Sequence, residues 1–234
     1  MHGLPMIVLL AVAETPRLFE QTAGQWSVWV ESSIVESTWQ HKRRALTSRQ
    51  VVTRRGPQGQ SVLFEGDSTG QWLVAMNEHG VVLVYGVGLA NLFFPGKKEA
   101  VTFEIQGHPG WISSNMSQVF FLGDTVLYGD AMQGVGIGII EIDLEKQRVR
   151  SERVFDKSKA YVRQTIDQTP RPIRLGQRIF FKGPTPSDGG ASPRQETRVL
   201  DLAKGAVLAL NDVPAALLTA NREALQPFID QAAP

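Results

Sequence analysis

The sequence predicts an all-β fold built from a repeated meander of strands, with one helix near the C-terminus. Three observations predict it: the frequency of glycine and proline, a recurrence of strand-like segments, and a single segment with helical periodicity. With 234 residues, 42% of them hydrophobic, the chain can bury a substantial core. Its 22 glycines and 13 prolines divide it into short segments, which is typical of strands joined by turns.

Strand-like apolar segments recur along the chain with a common period. Three of them end at Gly66, Gly123 and Gly183, and a second strand-like segment follows each of them at a similar distance. Extending the period towards the N-terminus gives four units of about 58 residues each within residues 14–211. A meander of three or four strands cannot bury both of its faces alone, so neighbouring units must pack on one another. The prediction is a propeller-like repeat.

Two short hairpins resemble those of known propellers. Residues 142–149 read Ile-Asp-Leu-Glu-Lys-Gln-Arg-Val, and residues 200–207 read Leu-Asp-Leu-Ala-Lys-Gly-Ala-Val. Both resemble the strand-turn-strand hairpin of quinoprotein-like and related β-propellers. The first departs from that pattern because Gln147 stands where the second hairpin has Gly205. The resemblance implies a propeller-like fold, and it concerns the fold alone.

The two ends of the chain have patterns of their own. Within residues 212–234, Asp212 can cap a helix, Pro214 suits its first turn, and apolar residues then recur on one face up to Pro227, which is expected to end the helix. Residues 1–13 end an apolar run in Ala-Val-Ala, which fits either a truncated signal peptide or a first buried strand. No transmembrane span is predicted, because a helix needs roughly 20 apolar residues to cross a membrane.

Composition excludes several classes of site. The formal net charge of +1 provides no global field that would attract nucleic acid. The absence of cysteine removes disulfides, thiolate chemistry and cysteine-ligated zinc, and the 4 histidines do not have the spacing of metal ligands. We therefore predict no metal and no cofactor, with a calcium site built from loop carboxylates left open.

Two groups of residues are candidates for catalysis. Residues 66–70 read Gly-Asp-Ser-Thr-Gly, and the G-x-S-x-G pattern places a nucleophilic serine, here Ser68, on a sharp strand-to-helix turn. A strand-like segment follows instead of a helix, and no Asp lies between Ser68 and His108, so the usual triad order cannot be assembled. Glu141 and Asp143 alternate with apolar residues, which fits paired carboxylates or an ordinary solvent-facing strand. Ser68 is predicted to lie in a turn, and no residue is assigned a catalytic role.

A run of basic residues is the strongest signal for an interaction. The charged residues between positions 41 and 55 are all basic, although the whole chain is nearly neutral. The binding residues predicted from this run are Lys42, Arg43, Arg44, Arg49, Arg54 and Arg55. No aromatic residue lies between these charges to stack on bases, which disfavours nucleic acid. An acidic protein, a layer of lipid headgroups and a solvated hairpin without a partner remain alternatives.

These observations lead to one favoured function and one rival. The favoured function is a non-catalytic monomer, exported to the periplasm or secreted, that binds another protein in the manner of an inhibitor or immunity protein. A cytoplasmic location is the alternative. The rival function is a hydrolase acting on glycans or esters, with Ser68, Glu141 and Asp143 as its candidates. A deep cleft holding the two carboxylates about 5–9 Å apart would favour the rival.

Overall fold

A computed structural model describes residues 17–40, 43–68, 72–86, 89–104, 116–130, 137–155, 169–184 and 195–229 of the chain. Within these residues, the strands form four antiparallel sheets, each with four strands in the order of the chain. The prediction of an all-β, propeller-like repeat of four meander units is confirmed. The proposed first strand in residues 1–13 lies outside the described residues.

Every strand of a sheet pairs with the next strand along the chain, so each sheet is a meander. Sheet 1 contains β1 (Arg17–Ala23), β2 (Trp26–Gln40), β3 (Arg43–Gly56) and β4 (Gly59–Ser68). Sheet 2 contains β5 (Leu73–Met76), β6 (Val82–Gly86), β7 (Leu89–Phe93) and β8 (Val101–Glu104). Sheet 3 contains β9 (Met116–Leu122), β10 (Thr125–Asp130), β11 (Ile137–Asp143) and β12 (Arg148–Phe155). Sheet 4 contains β13 (Ile173–Leu175), β14 (Arg178–Pro184), β15 (Gln195–Asp201) and β16 (Ala206–Ala209).

The first turn of every sheet contains a glycine with a positive φ angle. These glycines, with φ of 58°, 74°, 67° and 59°, are Gly24, Gly80, Gly123 and Gly176. Residues with a Cβ atom rarely adopt such angles, so the four positions mark the true repeat. Gly66 lies inside β4 and Gly183 inside β14. The prediction that Gly66 and Ser68 lie in a turn is therefore wrong.

The hydrophobic core lies between successive sheets. Val28 and Val52 of sheet 1 pack with Val74 and Val84 of sheet 2, and a separate cluster joins sheet 2 to sheet 3. A third cluster joins sheet 3 to sheet 4. Each sheet thus buries apolar side chains against its neighbour along the chain, as expected for a meander that cannot cover both of its faces alone.

Two short helices cover the outer face of sheet 4. They are α1 (Ala215–Ala220) and α2 (Arg222–Ile229). Phe228 of α2 packs in one cluster with Phe180 and Val199 of the sheet. No helix in the described part of the chain is long and apolar enough to cross a membrane.

The predicted C-terminal helix is present but divided into two. Between α1 and α2, both the backbone nitrogen and the side-chain Nδ2 of Asn221 donate to the carbonyl oxygen of Leu217. Such local side-chain bonds compete with the regular helical pattern. Pro227 lies inside α2 and does not end it, which corrects the predicted boundary.

Candidate ligand-binding cleft

A cleft with a volume of about 410 Å³ opens between sheets 1 and 2. One wall contains Trp26 at the start of β2 and Arg54 of β3, together with the β3–β4 hairpin. The other wall contains Phe93 at the end of β7 and the turn that follows it. The cleft therefore lies where hairpins of two neighbouring meander units face each other.

Arg54 is the most buried charged residue of the cleft, with only 7% of its surface exposed. Its Nη1 donates to the carbonyl oxygens of Gly80 and Phe93, at 2.9 and 3.2 Å. Burial lowers the pKa of Arg54, yet an arginine remains protonated in proteins near neutral pH. Within the described residues, no carboxylate lies close enough to form an ion pair with it.

Strand alternation explains why Arg54 enters the cleft and its neighbour does not. Successive side chains of a strand point to opposite faces of the sheet. Arg54 pairs with Val28, a core residue between sheets 1 and 2. Arg55 lies on the other face, where its guanidinium is 5.3 Å from the ring centroid of Trp29 and donates to Gln60. Two adjacent arginines thus occupy different surfaces.

Two glycines create the space that Trp26 occupies. A Cβ atom built on Gly56 would lie 2.0 Å from Cζ3 of Trp26, and one built on Gly80 would lie 2.3 Å from its Cδ2. The indole therefore contacts the backbone of both sheets, which a side chain at either position would prevent. Its ring centroid lies 5.5 Å from the guanidinium carbon of Arg54. Trp26 thereby supports Arg54 from inside the cleft.

The opposite wall is built by a tight turn of residues 94–97. The backbone nitrogen of Lys97 donates to the carbonyl oxygen of Phe94 at 3.3 Å, and Gly96 has a φ of 76°. Proline followed by a glycine with positive φ is typical of a type II turn. The turn presents the exposed residues Lys97 and Lys98 to the cleft. The described residues that line the cleft include three cations and no Asp or Glu.

The cleft combines positive charge with apolar surface. Val62, which is 60% exposed, lines it together with Phe93 and Pro95. Small-molecule sites are commonly apolar clefts of roughly 300–1,000 Å³ that contain a few polar groups to fix orientation. A guanidinium that is largely removed from water binds an anion more strongly than an exposed one. This arrangement suits a small ligand that carries an anionic group beside an apolar one.

The six basic residues predicted as a binding set lie in different environments. Arg54 lines the cleft and Arg55 stacks on the opposite face of the sheet. Arg49 pairs with Asp67 at 3.0 Å and with Glu65 at 3.7 Å, which raises the pKa of its guanidinium. Lys42 lies outside the described residues, and so do the side chains of Arg43 and Arg44. Their joint role in binding stays a prediction.

The residues considered for catalysis have structural contacts. The carbonyl oxygen of Ser68 accepts a hydrogen bond from Ser48 Oγ at 3.3 Å, and Ser68 ends a strand. Glu141 accepts a hydrogen bond from the hydroxyl of Ser151 and lies 3.5 Å from Arg153.

Asp143 accepts a hydrogen bond from the backbone of Lys146, which lowers the pKa of its carboxyl. A general acid would need its pKa raised. The described residues also contain no cluster of His, Asp or Glu that could hold a metal ion.

This chain is similar to solved structures of known proteins. No family model and no curated protein sequence matches the chain. Two similar solved structures are crystal structures of puromycin hydrolase, one of them a mutant in complex with PGG. Both are 14% identical, with TM-scores of 0.45 and 0.43. Each match covers 81% of this chain, which spans 28% of the hydrolase chain.

The function favoured by the sequence is wrong. Both comparison structures are those of a hydrolase, and neither is an inhibitor or an immunity protein. At this level of similarity the likeness concerns the fold and transfers no activity to this chain.

Proposed function

We propose that this chain binds a small anionic molecule, with an apolar group beside its charge, in the cleft between sheets 1 and 2. The observation that carries the proposal is the buried guanidinium of Arg54, which lines the cleft and has no carboxylate partner within the described residues. A carboxylate or a phosphate would supply the missing negative charge.

The cost of burying a charge supports this assignment. Removing an ion from water costs several kcal/mol unless an opposite charge or hydrogen bonds offset it. Two backbone carbonyl oxygens accept from Nη1 of Arg54, so part of that cost is already offset. The donors on Nε and Nη2 form no hydrogen bond within the described residues, and a guanidinium can bind a carboxylate or phosphate through two of its donors at once.

Lys97 and Lys98 support the same class of ligand from the opposite wall. Both are exposed cations that line the cleft: Lys97 ends the turn that faces Arg54, and Lys98 follows it. Exposed lysines contribute less energy per contact than a buried arginine, but they attract an anion towards the opening. We therefore expect the affinity for the ligand to depend mainly on Arg54. We also expect it to fall as the salt concentration rises, because salt screens the exposed lysines.

The proposal concerns binding and assigns no reaction. Among the described residues that line the cleft there is no His, Asp or Glu that could activate a nucleophile. The finer resemblance to quinoprotein-like propellers concerns the fold and adds no cofactor. Export to the periplasm or secretion, the alternative cytoplasmic location and the monomeric state stay predictions.

A titration with three matched compounds tests the proposal. Phenyl phosphate and phenylacetate carry an anion beside an aromatic ring, whereas phenylacetamide has a similar shape without charge. Isothermal titration calorimetry should give a Kd on the order of 1 mM or tighter for the anions, about −4 kcal/mol. Phenylacetamide should bind at least tenfold more weakly, because it lacks the charge-assisted hydrogen bonds.

Two adjacent arginines provide a matched pair of variants. Arg54→Met keeps most of the apolar stem and removes the charge, so the affinity for phenyl phosphate should fall roughly tenfold or more. Arg55→Met removes a charge from the other face of the same strand and should leave the affinity within about twofold. Equal losses in the two variants, equal affinity for phenylacetate and phenylacetamide, or no binding of any compound would each overturn the proposal.

A further inference from the structure

We infer that Gln147 is a positioning residue for the cleft, acting from sheet 3 on the turn of residues 94–97. The inference rests on the proposed function of the cleft. Gln147 has two unusual features, a left-handed backbone conformation and hydrogen bonds to a different sheet.

Gln147 has a left-handed backbone conformation. Its φ of 47° is the only positive value found for a residue other than glycine in the described part of the chain. The equivalent position in the hairpin between β15 and β16 is Gly205, with a φ of 65°. Side chains with a Cβ atom are disfavoured at such angles, so glutamine at this position costs stability relative to glycine. A strained residue that persists calls for a compensating role.

The contacts of Gln147 lie in the wall of the cleft. Its side-chain Nε2 donates to the carbonyl oxygen of Pro95 at 3.4 Å. Its backbone carbonyl oxygen accepts from Nζ of Lys97 at 3.3 Å. Both partners belong to the turn that faces Arg54, and they lie about 50 residues away along the chain. A glycine at position 147 could make the second contact but not the first.

Gln147 therefore fixes the turn from outside the cleft. The turn is closed by the hydrogen bond between Lys97 and Phe94. Two hydrogen bonds with Gln147 connect the same turn to sheet 3. A wall that is held in place before the ligand arrives loses less conformational freedom when the ligand binds. Removing the tie is expected to weaken binding without weakening the fold.

Gln147→Gly tests this role with two readouts. Amide hydrogen exchange of the free protein should become faster at Gly96, Lys97 and Lys98 and stay unchanged in the other hairpins. The affinity for phenyl phosphate should fall about threefold to tenfold, while the Tm stays the same or rises. A purely structural contact would instead lower the Tm and leave the affinity of the folded protein unchanged.

Gly205→Gln is the matched control, because it places glutamine in the equivalent turn of sheet 4. It should lower the Tm and leave the affinity unchanged. The inference is overturned if Gln147→Gly leaves exchange of the turn unchanged, or if affinity stays the same although exchange is faster. If the wild-type protein binds none of the compounds while exchange still becomes faster in Gln147→Gly, the proposed function fails and this inference fails with it, although the tie itself is real.

Discussion

The hairpin between β11 and β12 and the hairpin between β15 and β16 are built in the same way but differ in what they contact. Asp143 accepts from the backbone nitrogen of Lys146 at 2.9 Å, and Asp201 accepts from that of Lys204 at 3.0 Å. In both hairpins the residue at the fourth position after the aspartate has a positive φ. The local sequence therefore determines the turn in each sheet.

The surroundings make the two hairpins different. Asp201 is 1% exposed and lies 3.2 Å from Arg178 inside sheet 4. The side chain of Asp143 is 20% exposed, and its partner Arg148 lies 3.6 Å away on the surface. The first hairpin contacts sheet 2 through the side chain of Gln147. The second contacts sheet 3 through the carbonyl oxygen of Leu202, which accepts from Arg153, while its aspartate pairs with Arg178 inside its own sheet. The same type of turn thus holds the wall of a neighbouring cleft in one sheet and contains a buried ion pair in the other.

The largest expected effect on stability follows from replacing the buried Asp201. Asp201→Asn removes the ion pair with Arg178 and weakens the bonds to the turn, so the free energy of unfolding should fall by roughly 2–3 kcal/mol. Asp143→Asn changes the equivalent residue in a more exposed hairpin and should have a much smaller effect. Urea denaturation of both variants measures the difference. Equal losses would show that burial does not distinguish the two hairpins.

Asp201 also makes the stability of the fold depend on pH. The backbone nitrogen of Lys204 is the main cause that lowers the pKa of Asp201, and Arg178 lowers it further. Because the pKa in the folded state lies below the unfolded value of about 3.9, this contribution is complete above roughly pH 5 and is lost as the pH falls through the folded pKa.

The test is a series of urea denaturation curves between about pH 7 and pH 3. Stability of the wild-type protein should fall more steeply on acidification than that of Asp201→Asn, which has no carboxyl to protonate at this position. Parallel profiles for the two proteins would contradict the assignment.

A moderate effect on stability is expected when glutamine replaces the left-handed glycine of the β15–β16 hairpin. Gly205→Gln introduces a side chain at a φ of 65° without a partner like Pro95. The free energy of unfolding should fall by about 1 kcal/mol, the usual cost of a left-handed residue other than glycine. A loss of the same size or larger in Gln147→Gly would contradict the expected difference between the two turns.

The smallest effect on stability is expected for Gln147→Gly. Relief of the left-handed conformation is offset by the lost bond to Pro95 and by the greater freedom of glycine in the unfolded chain. The free energy of unfolding should change by less than about 0.5 kcal/mol. A thermal denaturation scan of this variant beside Gly205→Gln measures the contrast between the two turns.

Much of the fold could be predicted from the sequence, since glycine, proline and apolar periodicity determine local structure. The number of meander units and the C-terminal helical segment follow from these signals. Two of the three predicted repeat glycines are wrong, because Gly66 and Gly183 lie inside strands, whereas Gly123 lies in the first turn of sheet 3. Units of unequal length caused this error: β2 and β3 have 15 and 14 residues, whereas β5 has 4. The glycines that mark the repeat are those in the first turn of each sheet, Gly24, Gly80, Gly123 and Gly176.

The candidate cleft could be predicted only in part. The run of basic residues indicates Arg54 as a candidate, but charge alone does not separate it from Arg55. Strand alternation separates them once the strand is known. The contribution of Lys97 and the tie from Gln147 depend on contacts between different sheets, about 50 residues apart in sequence. No local pattern reports such contacts.

An NMR titration of the indole signals tests the central claim most directly. Trp26 lines the cleft, and Trp29 lies on the opposite face of the same strand, against Arg55. On addition of phenyl phosphate, the Nε1–H signal of Trp26 should shift progressively while that of Trp29 stays in place. The shift of Trp26 should be lost in Arg54→Met and kept in Arg55→Met. Equal shifts of both signals, or no shift of Trp26 at saturating ligand, would contradict the cleft as the binding site.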